Sequence, residues 1–207
     1  KKQVFNPFLP LNVCIPDGEP HVFGDRVYIY GSHDNAGADA FCDYKLKVWS
    51  APVDDLTNWV CHGDIFHTRD DRDHKSDTDW TDNPLYAPDA VEKDGKYYLY
   101  CYILWDKGCV AVADRPEGPF ELLSQYKYDG IEDYKVENGA FVDPGVLVDD
   151  DGRVYIYCGF EKSYMAELKS NMYEVIADPY KPDIIPADKS SEKGFFEACS
   201  MRKVNDT

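Results

Sequence analysis

No apolar run in the sequence approaches the ~20 residues that a membrane-crossing helix needs, and no signal-peptide pattern stands at its start. The first residue is Lys1 rather than Met, so a removed leader is compatible with that start. Bases are scarce, 22 against 39 acids, and the net charge of −17 excludes nucleic acid and anionic membrane as natural partners. There is no CxxC pair and no metal-ligand spacing among the seven cysteines, Cys14, Cys42, Cys61, Cys101, Cys109, Cys158 and Cys199. An odd, scattered set of this kind reads as reduced thiols, which points to a reducing, cytoplasmic compartment. Amphipathic helices of useful length and Pro-rich linkers between domains are absent too.

What is present is β structure and its turns. With 43% hydrophobic and 14% aromatic residues, the chain can build a sizeable core. Its organising stretch is FVDPGVLVDDDGRVYIYCG, in which Asp143 opens a β-rich run that turns at Asp151-Gly152 into a second one. Asp-Gly between two such runs is a strong hairpin signal, because the tight turn needs residues that tolerate positive φ. The unit recurs. Asp17 precedes a turn at Gly24-Asp25, Asp89 one at Asp94-Gly95, and Glu197 one at Asn205-Asp206, with turns 70, 57 and 54 residues apart. Repeats of this length, rich in short strands, predict propeller blades at about residues 5–61, 85–123 and 141–180, with 195–207 starting a fourth. Since the first strand of each blade lines the central channel, the four acids are expected to converge on one axis.

Two polar insertions, 62–84 and 126–139, separate these units. The first carries His62, His67, His74 and seven Asp. Its histidines are not spaced like a zinc motif and acid-rich loops are usually solvated, so a solvated loop is expected there. Asp149-Asp150-Asp151-Gly152 resembles a calcium loop but lacks the spacing and the closing Glu. No cofactor is expected, and the sequence does not support a structural calcium in the channel. Converging carboxylates, in contrast, suffice for glycoside hydrolysis, in which one protonates the leaving oxygen and another activates water. A third acid raises the donor's pKa by like-charge repulsion.

The pieces NPFLPLNVCIPDGEPHVFGDRVYIYGSHD, LYAPDAVEKDGKYYLY, VDPGVLVDDDGRVYIYCG and FFEACSMRKVNDT, in that order, resemble the catalytic domain of family 43 of the glycoside hydrolases along the whole chain. That resemblance implies an all-β, five-bladed propeller, of which this chain supplies about three and a half blades. It implies an inverting hydrolase acting on arabinose- or xylose-containing plant-wall glycans, with Asp17 as general base, Asp143 as the acid that tunes pKa and orients the donor, and Glu197 as general acid. Asp89, His33 and Trp105 are expected to bind the oligosaccharide, Asp89 alternatively joining an axial hydrogen-bond network. Trp80 and Tyr86 are further aromatics suited to a sugar. Glu19, close to Asp17, is a rival base. Against a five-bladed ring the sequence ends about one and a half blades early, so further blades or an oligomer are expected to close the channel. The alternatives are a non-catalytic carbohydrate-binding propeller and an inactive truncated fragment.

Overall fold

In the computed structural model, which describes residues 6–128, 141–182 and 194–205, the chain forms three sheets, antiparallel but for one edge pair, and, among the described residues, no helix. The first sheet runs β1 (Glu19–Phe23), β2 (Arg26–Gly31), β3 (Lys45–Pro52), β4 (Val60–His67) in sequence order; the second runs β5 (Leu85–Lys93), β6 (Lys96–Ile103), β7 (Cys109–Ala113), β8 (Glu121–Gln125). In the third, β10 (Gly145–Val148), β11 (Val154–Cys158), β12 (Tyr164–Leu168) and β13 (Glu174–Pro182) are joined at the outer edge by β9 (Lys127–Tyr128), which pairs with β13 in parallel. Four-stranded meanders repeated in sequence order are the anatomy of propeller blades. Of the second insertion, residues 129–139 lie outside the described residues, as does Asp206 of the last turn.

Two boundaries differ from the sequence expectation. β4 continues to His67, past Cys61, because a buried apolar pair, Ile65 and Phe66, follows the polar His62-Gly63-Asp64 and carries the strand on. Of the segment expected to open a fourth blade, 195–207, residues 198–204 follow the path of an inner strand without being one. Cys199 lies against Gly145, the first residue of β10, and Lys203 donates to Asp149 and Asp150 in the turn at the far end of β10, at 2.5 and 2.8 Å. A strand needs a ladder partner, and among the described residues none pairs with it.

Alternation decides where the core sits. In β6, Tyr98 and Tyr100 point toward blade three, while Tyr97, Leu99, Cys101 and Ile103 point toward blade one. Both faces of blade two are therefore covered, which is why KYYLYCYI reads as a nearly unbroken apolar run. The outer blades each bury one face against it: Tyr28, Tyr30, Leu46 and Val48 on one side, Val154, Ile156, Ala166 and Leu168 on the other. The tyrosines bury rings whose hydroxyls find carbonyls, Tyr30 on Pro116 at 2.5 Å and Tyr100 on Met172 at 2.9 Å. All seven cysteines are free, and Cys101, Cys109 and Cys158 are small core residues.

One carboxylate crosses all three blades. Asp89, in β5 and 1% exposed, accepts from His21 of β1 at 2.5 Å, from the backbone N–H of Val146 in β10 at 2.6 Å, and from that of Ala90 at 2.7 Å. Its replacement strands buried donors in two neighbouring blades. Asp89→Ala is expected to cost roughly 3–5 kcal/mol of stability, read as a lowered urea midpoint at unchanged slope; a loss under about 1 kcal/mol would show that the three blades do not depend on this joint.

Candidate active site

At the end of the arc where β1, β5 and β10 begin, each chain enters its inner position through a residue with positive φ: Asp17 (55°), Ala87 (29°), Asp143 (47°) and, on the fourth segment, Ala198 (63°). These residues and their successors Gly18, Glu19, Pro88, Pro144, Cys199 and Ser200 line a pocket of about 150 Å³. Left-handed backbone at non-glycine residues is costly and collects at functional sites. It turns the side chain at the strand entrance toward the axis instead of along the sheet. The four acids are thus not placed identically. Asp17 and Asp143 occupy the left-handed position, Glu197 stands one residue before it, and Asp89 two residues after it, beyond a register shift in β5. That two-residue offset takes Asp89 off the pocket wall and into the axial network; the expectation that it contacts substrate gives way to the alternative.

The remaining three carboxyls share one electrostatic environment. Asp143 is half-buried and its pKa rises to about 7, first through burial, then through the charges of Glu197 and Asp17, against a lowering hydrogen bond from the Ala198 backbone. Glu197, exposed at the rim, is raised by partial burial and then by Asp17. Asp17 is raised by partial burial and then by Asp34, a residue that sequence reasoning did not single out. The cluster cannot ionise completely at once, so it retains a proton toward neutral pH. The sequence expectation had Asp143 lifting Glu197. In the structure the largest lift falls on Asp143, the most enclosed of the three.

Glu19 is occupied elsewhere. It accepts from Ser200 Oγ at 2.8 Å and from the Arg202 guanidinium, which also donates to the Pro20 carbonyl at 2.6 Å. A carboxylate so paired is a poor base, and its role is to fasten the fourth segment to β1. Ser200 and Arg202 are two apart and so share a face of an extended segment, but nothing in SMRKV announces the partner about 180 residues away. His33 and Trp105 lie in the loops after β2 and β6, whose ends pair with the starts of β1 and β5, so both stand at the pocket end of the arc. Neither lines the pocket. His33 Nδ1 is 3.5 Å from Asp43, and Trp105 is 86% exposed, free to meet a ligand. Trp80 is committed to the fold through its indole N–H, 3.2 Å from the Lys107 carbonyl, and the Tyr86 hydroxyl donates to the Phe41 carbonyl at 3.3 Å.

Comparison with known proteins agrees with this arrangement. The sequence profile described as Glycosyl hydrolases family 43 matches residues 6–207. The chain is a member of glycosyl hydrolase family 43. It is 41% identical, over its whole length, to a xylosidase/arabinosidase of Thermoclostridium stercorarium, and 35% identical, over 72% of its length, to xylosidase/arabinosidase 43A of Humicola insolens. It covers 46% and 44% of those two proteins, so it spans about half the length of these relatives. Among solved structures it resembles an α-L-arabinofuranosidase from Clostridium thermocellum with a TM-score of 0.64 at 30% identity, covering 91% of this chain and 60% of that one. The likeness to a β-xylosidase/α-arabinofuranosidase from a compost metagenome has a TM-score of 0.69 at 25% identity, covering 99% and 71%. The family's fold is a five-bladed propeller, and the described residues supply three of its blades.

The raised pKa of Asp143 has a consequence for stability. Between the ordinary aspartate value and about 7, the folded state holds a proton that the unfolded state has released, so stability falls as pH rises through that window and is level above it. Asp143→Asn removes the term. The variant is expected to gain in Tm relative to the parent as pH is raised from about 4 to about 7; a difference independent of pH would contradict the assignment of the proton to Asp143.

Proposed function

We propose that the protein belongs to an inverting glycosidase that removes arabinofuranosyl or xylosyl units from plant-wall glycans or oligosaccharides. The observation that carries this reading is the convergence of Asp17, Asp143 and Glu197 from three chain segments on one end of the arc, where Asp17 and Asp143 line the pocket, the charges of Glu197 and Asp17 raise the proton affinity of Asp143, and that of Asp17 raises the proton affinity of Glu197. In this reading Asp17 takes a proton from the attacking water and Glu197 gives one to the leaving oxygen. Asp143, beside Glu197, keeps a proton within the pair and orients the donor. Glu19 is unsuited to the base's role because Arg202 neutralises it. Trp105, on the open loop at the same end, offers an aromatic face to a sugar, and His33 stands on that rim. The names of the relatives support the substrate class, and the shared pocket end supports the roles.

Inversion requires room for water, so the Asp17 and Glu197 carboxyls are expected about 6.5–9.5 Å apart in a substrate complex, whereas about 5 Å would indicate retention. Further blades or a second copy closing the channel would shield Glu197, which is exposed in this arc. In a polypeptide carrying those blades, Asp17→Ala and Glu197→Ala are each expected to lose about 10²- to 10⁴-fold in kcat on unactivated xylosides and arabinofuranosides. For Glu197→Ala the loss shrinks on aryl glycosides with a good leaving group, which need little protonation. Equal loss on both substrate types would remove Glu197 from the acid's role. Sugar binding without turnover by the intact enzyme would instead favour a binding propeller. The 207-residue chain alone, purified as a monomer, is expected to turn over aryl glycosides little or not at all.

A further inference from the structure

The insertion after blade one contains a buried histidine whose imidazole makes no hydrogen bond. His67, the last residue of β4, is 3% exposed, and neither of its ring nitrogens has a hydrogen-bond partner. Burying both polar atoms of an imidazole unpaired costs free energy that a satisfied site would recover. The surroundings are far from apolar. Nδ1 stands 3.7 Å from an Asp77 carboxylate oxygen, and Nε2 stands 3.7 Å from Asp64 and 3.8 Å from Asp71. The ring of His74 stacks on that of His67 at 3.9 Å, and His74 Nε2 is 3.2 Å from both oxygens of Asp77.

The two sides of the ring differ. On the Nε2 side a cation is already present, since the Lys45 ammonium lies 3.1 Å from Asp64 and 3.7 Å from Asp71, and Lys47 also pairs with Asp64. On the Nδ1 side, among the described residues, Asp77 has no lysine or arginine within ion-pair distance. Two imidazole nitrogens and a carboxylate oxygen gather there within 4.8 Å of one another. Around a tetrahedral ion with bonds of about 2.0–2.2 Å, neighbouring ligand atoms lie roughly 3.3–3.6 Å apart, close to the 3.2 and 3.7 Å found at Asp77.

We propose that His67 Nδ1, His74 Nε2 and the Asp77 carboxylate form a binding site for a divalent transition-metal ion of the zinc class, fastening the 68–77 loop to the end of blade one. Both nitrogens of His67 then have work. Nδ1 ligates, and Nε2–H faces Asp64 and Asp71, the carboxylate–histidine–metal arrangement that fixes a ligand's tautomer and orientation. The third ligand is already held, because one Asp77 oxygen accepts the His67 backbone N–H at 2.8 Å while the Asp77 N–H donates to the His67 carbonyl at 2.9 Å. Ligation asks for a turn of the exposed His74 ring, and a water completes the tetrahedron. The spacing hid the site from the sequence: six residues separate the histidines and two separate His74 from Asp77, with one ligand on a strand and two in a loop. Two imidazoles and one carboxylate favour zinc or cobalt over calcium, which takes oxygen ligands. The site shares no residue with the carboxylate pocket and stands apart from the glycosidase reading.

The test uses the 207-residue chain stripped by chelator and titrated with zinc by calorimetry and with cobalt(II) by visible absorption. One ion per chain is expected, with cobalt bands typical of low-coordinate nitrogen ligation and a Tm that rises with zinc. His67 is buried, so its own replacement would disturb the core; the variants are His74→Ala and Asp77→Asn, checked for parent-like circular dichroism. Asp71→Asn, which removes a carboxylate facing Nε2, is expected to weaken zinc about 10- to 100-fold, and the two ligand variants more. Absence of saturable zinc binding would overturn the proposal. So would equal binding of calcium, or full affinity in His74→Ala, either of which marks a diffuse acidic loop.

Discussion

The Asp89 carboxylate sits where three blades meet, and its oxygens are spoken for by a side chain from the first blade and a main-chain N–H from the third. Hydrogen bonds of this kind are costly to leave unmade in a buried place, so the blades cannot shift along the axis independently. That fixes the relative height of the strand entrances at Asp17, Ala87 and Asp143. The pocket is therefore a consequence of the axial joint: the acids meet because the strands that carry them are held in register between blades, where no ladder exists to do it.

The entrances explain how one repeated unit serves two purposes. A residue with positive φ directs its side chain to the channel, and where that residue is Asp the carboxyl joins the pocket. Where it is Ala, as at positions 87 and 198, the wall stays neutral and leaves space for a ligand. Moving the acid by two residues converts a group facing substrate into a structural one. Charge then does the rest, because three carboxyls in partial burial hold a proton that each would release alone in water.

Much of this was legible in the sequence. The hairpin turns at Gly24-Asp25, Asp94-Gly95 and Asp151-Gly152 carry their own chemistry, and alternation in β6 and β11 follows from period two. Local signals also placed Asp17 and Asp143 correctly at strand entrances. What escaped was set by distance and by backbone conformation. The bulge in β5 that diverts Asp89, the pairing of Glu19 with Arg202 and the influence of Asp34 on Asp17 depend on contacts that no short window of residues reveals, and the gathering of His67 with Asp77 on a loop conformation that its irregular spacing did not announce. The extent of β4 was underread because His62-Gly63-Asp64 resembles the start of a loop, whereas Ile65 and Phe66 beyond it have a core to enter.

The parallel pairing of β9 with β13 bears on how the arc assembles. Lys127 and Tyr128, which follow blade two, contribute the outermost strand of blade three, so that blade three is finished by residues preceding it in the chain. A blade built only from its own meander can open and close alone; this one cannot release its edge without disturbing the segment that leaves its neighbour. Blades two and three should therefore exchange their amide protons as one cooperative unit.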